Sequence, residues 1–430
     1  MHSIIQVAYS HNKIYNQTMN KLPANWKKLK IEDCADIIGG GTPSTKKKEY
    51  WDGNISWITP KDLSNYNSRY ISRGSRNISE KGLKYSSARL LPKNSVLLTT
   101  RAPIGYLAIS KKELATNQGF KSLIMKNGNV PEFFYYLLKN NIAKLLQYAS
   151  GTTFMELNAT NLKSIEFYIP EVAEQKRIAS ILSSFDDKIE LNNKTNKILE
   201  EMAQTIFEEW FINFNFPNED GKPYKKSGGE MIGSELGGIP KGWKILTLKD
   251  IVNIVKGKKP TATSDKITKK FTMPYLTIDC YNNEKSEYTE YNEKMHVKEL
   301  DIVMIMDGNA GRIFYGKEGI LSSTMAKFVI EDENLNEIVF NFLKSIEYDL
   351  MYHTVGSVIQ HADKQYILNK KFCVPENNLK RLSDIFKEIR RKVALNKKEN
   401  EKLAKIRDSL LPKLMAGEIR IDKNFETINF

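Results

Sequence analysis

Four residues of this 430-residue chain have types and spacings from which a metal site could begin. Asp301 and Asp307 flank an apolar run and could seed a nuclease-like metal site, but no suitably placed Glu-x-Lys follows them. His353 and His361 are eight residues apart and have no acidic partner in helical register, so zinc binding is not indicated. Ordinary surface or core histidines are the better interpretation. The sequence therefore predicts no metal-dependent chemistry.

Loops that would hold a cofactor or a target base are also missing from the sequence. The cluster Gly39–Gly41 lacks the Gly-x-Gly-x-x-Gly spacing of a dinucleotide loop, and no Gly-x-x-x-x-Gly-Lys-Ser/Thr loop exists for ATP. A methyltransferase acting on amino groups of DNA needs an Asn/Asp-Pro-Pro-aromatic loop to hold a flipped base, and the chain has no Pro-Pro pair. The opposing hypothesis, a methyltransferase or nuclease acting alone, requires the isolated chain to bind labelled cofactor. We expect no such binding.

The composition predicts a folded protein with a polyanionic partner. Apolar residues make up 41% of the chain and charged residues 27%, and the formal net charge is +14. Such a charge suits binding to nucleic acid or to an anionic membrane surface. The membrane is the weaker alternative, because the sequence has no transmembrane-length apolar run and its start lacks the features of a signal peptide. Cys34, Cys280 and Cys373 are too few and too far apart for a disulfide framework, which suits a reducing cytoplasm.

The chain is organised around a long amphipathic helix that occurs twice in the sequence. The first copy, Glu171–Phe211, has seam residues in alternating steps of four and three from Ile178 to Trp210. The same pattern returns 204 residues later, from Leu382 to Leu414. Such a repeat decides how everything between the copies is interpreted.

The two helices are predicted to pair antiparallel as a coiled coil. In that register Asn192 faces Asn400 and Asn196 faces Asn396, and a buried asparagine layer fixes register at some cost in stability. A helix of about 40 residues is roughly 60 Å long. Such a helix pair could hold two DNA-binding domains, each contacting one half of a target site, at a set distance. The alternative is that each helix packs only on its own globular domain.

The regions between the helices also repeat, so the predicted fold is a tandem of α/β (α+β) domains with a pseudo-twofold internal repeat. Pro23 and Trp26 correspond to Pro240 and Trp243, and the stretches Gly151–Pro170 and Gly356–Pro375 align without a gap. One clear helix, Glu132–Gln147, is predicted in the first domain. The predicted segments are a basic tail at 1–20, a first domain at 21–170, a helix at 171–212, a linker at 213–238, a second domain at 239–375, a helix at 376–416 and a tail at 417–430.

The chain resembles the specificity subunit of type I restriction-modification enzymes over nearly its whole length. The resemblance is carried by five motifs: GGGTPS at Gly39–Ser44, YWDGNISWITPKDL at Tyr50–Leu63, EQKRIASILSSFDDKIELNN at Glu174–Asn193, SELGGIPKGW at Ser234–Trp243 and RDSLLPKLMAGEIRI at Arg407–Ile421. The second domain departs from the first at its start, where Lys256–Lys266 reads KGKKPTATSDK. The target of one domain therefore cannot be inferred from that of the other.

The resemblance implies a cytoplasmic, non-catalytic DNA-binding subunit. Each domain would be a target-recognition domain that reads one half of a bipartite double-stranded DNA sequence, with the helices spacing the domains and docking the modification subunits. Two modification subunits would methylate adenine with S-adenosylmethionine, and a restriction subunit would use ATP and Mg²⁺, so no cofactor is expected in this chain. The alternatives are a subunit of another methyltransferase or restriction class, or a stand-alone DNA-binding protein.

Residues that touch DNA are predicted from their chemistry, with lysines on phosphates and polar tips on base edges. In the first domain, Arg101 is assigned to a guanine edge, and Asn117 with Gln118 to an adenine edge. The remaining candidates there are Lys46, Lys47, Lys48 and Lys61 for phosphates, and the loop carrying Thr152 and Thr153. In the second domain, the backbone candidates are Lys256, Lys258 and Lys259, and the base-reading candidates are Tyr281, Asn282, Asn309, Arg312, Ser357 and Gln360. The alternative is that these lysines only form a solvated surface and make no contact with phosphates.

An aromatic cluster near the end of the first helix is larger than a two-helix seam needs. It consists of Phe207, Trp210, Phe211 and Phe214. It could dock a modification subunit, or it could only seat the second globular domain on the helix, which we favour.

Overall fold

The computed structural model describes residues 23–64, 66–101, 103–151, 155–282, 285–356 and 360–421. Internal contacts divide the chain into two units, the first holding residues up to Glu190 and from Glu401 onward, and the second holding Leu191–Asn400. Each unit therefore contains one globular region and a part of both long helices.

The globular region of the first unit is built from short strands and short helices. Its strands are β1 (Lys27–Lys30), β2 (Ala35–Gly39), β3 (Trp51–Ile58), β4 (Tyr70–Ile71), β5 (Arg76–Ile78), β6 (Val96–Thr100), β7 (Ile104–Ser110), β8 (Ala115–Thr116), β9 (Lys121–Met125) and β10 (Glu166–Ile169). Its helices are α1 (Ile31–Cys34), α2 (Pro60–Leu63), α3 (Glu80–Lys84), α4 (Pro131–Asn140), α5 (Ile142–Gln147) and α6 (Ala159–Ser164).

The helix predicted at Glu132–Gln147 is in fact two helices, because the chain breaks at Asn141. The side-chain amide of Asn141 donates to the carbonyl oxygen of Leu137 at 2.8 Å, while its backbone leaves the helical region with φ −118° and ψ 25°. Asparagine commonly competes with helical hydrogen bonding in this way. The two short helices still cover one face of the sheet and bury an aromatic row from Phe133 to Tyr136.

The main sheet of the first unit has five strands in the order β2-β9-β6-β7-β4. All pairs are antiparallel except β4 with β7. Strand β6 is buried along its whole length, as expected for an apolar run in the middle of a sheet. A smaller sheet, β5-β3-β8, contains the parallel pair β3 with β8, and β1 pairs antiparallel with β10.

The second unit is built in the same way. Its strands are β11 (Met231–Ser234), β12 (Gly237–Pro240), β13 (Trp243–Thr247), β14 (Val252–Lys256), β15 (Met273–Leu276), β16 (Tyr288–Thr289), β17 (His296–Val297), β18 (Ile302–Ile305), β19 (Ile313–Phe314), β20 (Gly319–Leu321), β21 (Met325–Ile330), β22 (Thr354–Val355), β23 (His361–Ala362) and β24 (Lys371–Pro375). The label α7 belongs to the first long helix, Val172–Phe207. The other helices of the second unit are α8 (Leu248–Ile251), α9 (Ile278–Tyr281), α10 (Glu333–Ser345), α11 (Glu347–Tyr352) and α12 (Lys364–Leu368).

Strand order confirms the tandem repeat. The four-stranded sheet β14-β21-β18-β19 repeats the order β2-β9-β6-β7, and the parallel pair β15 with β20 repeats β3 with β8. The antiparallel pair β13 with β24 likewise repeats β1 with β10. The two units thus share one frame although their sequences differ.

The predicted linker is not a plain surface loop. It contains β11 and the start of β12, which form an antiparallel hairpin ending at Pro240, and the ring of Phe216 stacks on that of Trp243 at 4.9 Å between centroids. Phe211 and Phe214 lie 5.5 and 5.6 Å from the same tryptophan. Phe207, Phe211 and Phe214 are buried in the core of the second unit, as the seating alternative predicts, and Trp210 is half-buried.

The long helices are α7 (Val172–Phe207), which continues into a π-helical turn at Glu208–Ile212, and α13 (Leu379–Met415). Within the second unit they run antiparallel, since Asn192 Nδ2 donates to Asn400 Oδ1 at 2.8 Å and Asn396 Nδ2 donates to Asn196 Oδ1 at 2.7 Å. These are the pairs that the antiparallel register requires. Three of the four asparagines are buried, and Asn400 also donates to Asn193 at 2.9 Å.

Replacing Asn196 with leucine is expected to lower the free energy of unfolding by about 1–3 kcal/mol, because the buried amide of Asn396 would lose its acceptor. The double variant Asn196→Leu/Asn396→Leu should recover that loss, since two apolar side chains replace two polar ones. Urea unfolding of both variants tests this. A single variant as stable as the parent would show that the asparagine pair is not a buried hydrogen bond.

Candidate DNA interface

In the first unit, the loops at one end of the main sheet are tied together by backbone hydrogen bonds. Gly41 N donates to Thr116 O at 2.9 Å and Thr100 N donates to Gly119 O at 2.8 Å. A Cβ placed on Gly40 would lie 2.0 Å from Asn117 O, so only glycine permits this approach. The glycine loop after β2, the end of β6 and the turn after β8 therefore form one surface.

Two further loops join this surface. Pro60, next to Lys61, lies against Gly119, and Leu157 N donates to Thr100 O at 3.0 Å. Arg101 forms a one-residue antiparallel bridge with Glu156. The structure thus brings Lys61, Arg101 and the turn carrying Asn117 and Gln118 onto adjacent loops, although these residues are far apart in the sequence.

The predicted contact residues of the first unit differ in side-chain exposure and in whether their polar atoms already have hydrogen-bond partners. Lys46, Lys47, Lys48, Lys61, Arg101 and Gln118 are exposed, and Asn117 is half-buried. Asn117 Oδ1 accepts from Gly119 N at 2.9 Å, and Gln118 Oε1 accepts from the hydroxyl of Thr42. Lys47 donates to the hydroxyl of Tyr50 at 3.1 Å, and this hydrogen bond raises the pKa of Lys47. Asn117 and Gln118 are therefore held in place by the loops that carry them.

In the second unit the equivalent loops converge in the same manner. Gly257 N donates to Met325 O at 2.9 Å, and Gly308 N donates to Gln360 O at 2.9 Å. The sequence pointed to Lys256 and Gln360 on this surface, and both are exposed there. Lys258, Lys259, Asn282 and Asn309 are exposed as well.

A cluster of charged side chains on this surface escaped the sequence analysis. Asp307 Oδ1 accepts from His361 Nδ1 at 2.7 Å, and Asp307 Oδ2 lies 3.0 Å from Lys256 Nζ. Partial burial opposes the ionisation of Asp307, but these two hydrogen bonds outweigh it and lower the pKa of Asp307. The sequence signals only that His361 is equivalent to Glu156, because each follows a matching glycine, Gly356 or Gly151, by five residues. It holds no signal for the contact of His361 with Asp307.

Tyr281 must be reassigned. Its ring packs on Phe314 with 5.0 Å between centroids, and its hydroxyl is buried, which raises its pKa. The residue lies at the end of α9, where it covers a small core formed around Leu276 and Leu321. Tyr281 is therefore a packing residue, and its prediction as a base reader was wrong. Arg312 is half-buried, with its guanidinium 5.4 Å from the ring centre of Phe314.

Three predicted contacts lie outside the described residues. They are Thr152, Thr153 and Ser357. Within the described ranges, no group of three His, Cys, Asp or Glu side chains is arranged to hold a metal ion. No helix in the same ranges is long and apolar enough to cross a bilayer.

Comparison with known proteins places this chain in a family. A family model described as the type I restriction modification DNA specificity domain matches residues 23–201 and 240–405, and so covers both repeats. The chain is 37% identical to the MjaIX specificity subunit of a type I restriction enzyme from Methanocaldococcus jannaschii, with 94% of this chain and 96% of that protein covered. It is 23% identical to the MjaVIII specificity subunit of the same organism, with 97% and 98% covered.

A solved structure shares the fold. The S subunit of a type I restriction-modification system from M. genitalium superposes with a TM-score of 0.59 at 19% sequence identity. The match covers 92% of this chain and 97% of that one. At this level of identity the likeness concerns the fold alone.

Proposed function

Because this chain belongs to the family of type I restriction-modification DNA specificity subunits, we propose that each of its units reads one half of a bipartite DNA target. Members of this family confer DNA sequence specificity on a type I complex and are not themselves catalytic. The recognition domains are assigned to residues 21–170 and 239–375. The helical segments 171–212 and 376–416 set the spacing between the half-sites.

One observation supports this proposal above the others. The two units share the order of four strands in the main sheet and the same converging loops, but the side chains on those loops differ. Lys61 and Arg101 stand on the loops of the first unit, and Lys256, Asn309 and Gln360 on those of the second. Two units with a shared strand arrangement and different loop side chains suit the recognition of two different base sequences, because base edges are distinguished by their hydrogen-bond donors and acceptors.

Partners follow from the same assignment. We assign two modification subunits to the helical pair, and a restriction subunit to the complete complex. S-adenosylmethionine, ATP and Mg²⁺ belong to those partners. The asparagine layer of Asn192, Asn196, Asn396 and Asn400 has the role of fixing helix register, and with it the half-site spacing. The complex acts in the cytoplasm, where the DNA is.

The methylated motif in host genomic DNA tests the proposed function. An asymmetric motif of two parts separated by a gap of fixed length and free sequence is expected. A continuous motif would instead point to another class of methyltransferase. Absence of any modification dependent on this chain would point to a stand-alone DNA-binding protein.

Arg101→Ala is expected to relax the choice of one base pair in one half-site, at a cost of about 1–3 kcal/mol in discrimination. Its exposed guanidinium has the two parallel donors that match the N7 and O6 acceptors of guanine.

Lys258→Ala is expected to weaken binding to all sequences alike and to reduce the salt dependence of binding, because a phosphate contact carries no base information.

Selection of sites from randomised DNA by the assembled methyltransferase, at two salt concentrations, separates these outcomes. Lys93→Ala serves as the matched control, because it removes an exposed charge before β6, at the other end of this strand from Arg101 and away from the predicted contacts. An Arg101→Ala complex with unchanged base choice, or a Lys258→Ala complex with altered base choice, would overturn the division between base and phosphate contacts.

A further inference from the structure

Arg101 and Asp307 occupy the same place in the two repeats. Each lies four residues before a glycine of positive φ, Gly105 in the first unit and Gly311 in the second. Each also forms the one-residue antiparallel bridge to the loop that precedes the last short helix of its globular region. The bridge partners, Glu156 and His361, are equivalent as well.

The side chains at this shared place have opposite charges. In the first unit the guanidinium of Arg101 is exposed and makes no hydrogen bond or ion pair with any described residue, while Glu156 faces Lys121 at 3.7 Å. In the second unit Asp307 is 20% exposed and contacts two more exposed side chains, Lys256 at 55% and His361 at 49%. The carboxylate is thus the inner member of the cluster, and the ammonium and imidazole are the outer members.

The cluster has a defined pattern of donors and acceptors. An ionised carboxylate can only accept, so the 2.7 Å contact means that His361 Nδ1 carries a proton and donates it to Asp307. In the neutral imidazole, Nε2 is then an acceptor. The ammonium of Lys256 has three N–H donors and uses Asp307 for only part of them. One donor and one acceptor are therefore held side by side.

We propose that Asp307 is a positioning residue that holds Lys256 and His361 as the base-reading pair of the second unit, directed at one G·C base pair. In the major groove, guanine presents the acceptors N7 and O6, and cytosine presents the N4 amino donor. Lys256 donates to guanine, and His361 Nε2 accepts from the cytosine amino group of the same pair. This inference rests on the proposed function, and it moves Lys256 from the phosphate contacts to the base contacts.

The test uses the assembled methyltransferase complex and site selection from randomised DNA. Lys256→Ala, His361→Ala and Asp307→Asn are each expected to lose discrimination at the same G·C pair by about tenfold to a hundredfold. The half-site read by the first unit should stay unchanged. Lys258→Ala is the control, since its exposed lysine on the same loop should weaken all sequences equally.

Two further comparisons distinguish positioning from general support of the fold. Asp307→Glu should recover part of the lost discrimination, because a carboxylate is restored, and thermal unfolding of all variants should match the parent. Relaxation at three different base pairs, or a uniform loss of binding like that of Lys258→Ala, would overturn the inference while leaving the bipartite motif in place. Failure of the parent complex to select any bipartite site would overturn the proposed function itself.

Discussion

Replacing Asp186 with alanine is expected to lower the free energy of unfolding by about 3–5 kcal/mol, the largest effect of any single ion-pair change in the first unit. Asp186 is 5% exposed and accepts from the hydroxyl of Tyr136 at 2.6 Å. It also pairs with Arg407 of α13 and lies 3.8 Å from Arg69, which is 3% exposed. Its removal would leave two arginines and a buried hydroxyl without this shared acceptor.

The charges around Asp186 are favourably arranged. Burial opposes the protonated form of Arg69 and of Arg407, yet the nearby carboxylates outweigh it and raise the pKa of both guanidinium groups. Burial together with the charge of Asp186 also raises the pKa of Tyr136, which keeps its hydroxyl a donor. A change that removes this carboxylate therefore removes the acceptor that Arg407 and Tyr136 share, and one of the three carboxylates around Arg69.

Asp187→Ala is the matched control for this prediction. Asp187 is the next residue on the same helix and pairs with the same Arg69, but its side chain is 67% exposed. Its removal should cost about 1 kcal/mol or less, because water and salt screen the exposed carboxylate and the buried Arg69 keeps Asp186 and Glu190 beside it. Urea unfolding followed by tryptophan fluorescence should therefore separate the two variants clearly. Equal losses for Asp186→Ala and Asp187→Ala would show that burial does not govern this network.

Gly40→Ala should be the most disruptive glycine substitution on the candidate DNA surface, with a loss of about 3 kcal/mol or more in the free energy of unfolding. The added Cβ would lie 2.0 Å from Asn117 O and 2.5 Å from Thr116 O. Backbone atoms cannot rotate away as a side chain can, so the turn itself would have to move. That movement should also weaken DNA binding, because the turn carries Asn117 and Gln118.

Gly39→Ala is the control for this substitution. Gly39 is the neighbouring residue at the end of β2, and a Cβ there would meet only Lys121 Cδ at 3.9 Å, an ordinary contact. Its effect should be small in both unfolding and DNA binding. If Gly40→Ala unfolded at the same urea concentration as Gly39→Ala, the close approach of the two loops would be wrong. The equivalent glycine of the second unit, Gly257, is 2.1 Å from Ser322 O by the same measure and should respond alike.

The architecture could be predicted because its signals repeat along the chain. The seam from Ile178 to Trp210, and its copy 204 residues later, needed only the spacing of apolar and asparagine residues. The match of Trp26 with Trp243 marked the start of each globular region, and both tryptophans are buried where the frame begins. The linker was predicted less well, because its Gly, Pro and Asn content hid the hairpin at Met231–Pro240 and its packing on Trp243.

The candidate DNA surface could be predicted only in part from the sequence. Residue chemistry pointed to Arg101, Lys61 and Gln118, and the fold places them on adjacent loops. It also pointed to Tyr281, whose hydroxyl is buried beside Phe314, since a tyrosine in a short polar segment gives no sign of which side of it faces the core. The types of Asp307 and His361 suggest metal ligands, and no pattern in the sequence indicates that they contact each other.

The residues alone indicate the doubled unit, the paired helices with their asparagine register and the family to which the chain belongs. Each depends on spacing patterns within short stretches, and the helix pattern returns 204 residues later. The grouping of Lys256, Asp307 and His361 depends on the folded chain, since His361 is 54 positions from Asp307 and Lys256 is 51 positions from it. Strand pairing brings such distant loops together, and no local pattern records which of their side chains will meet. For that reason the register of the paired helices can be predicted from the sequence, whereas the proposed base contacts depend on which loops the strand pairing brings together.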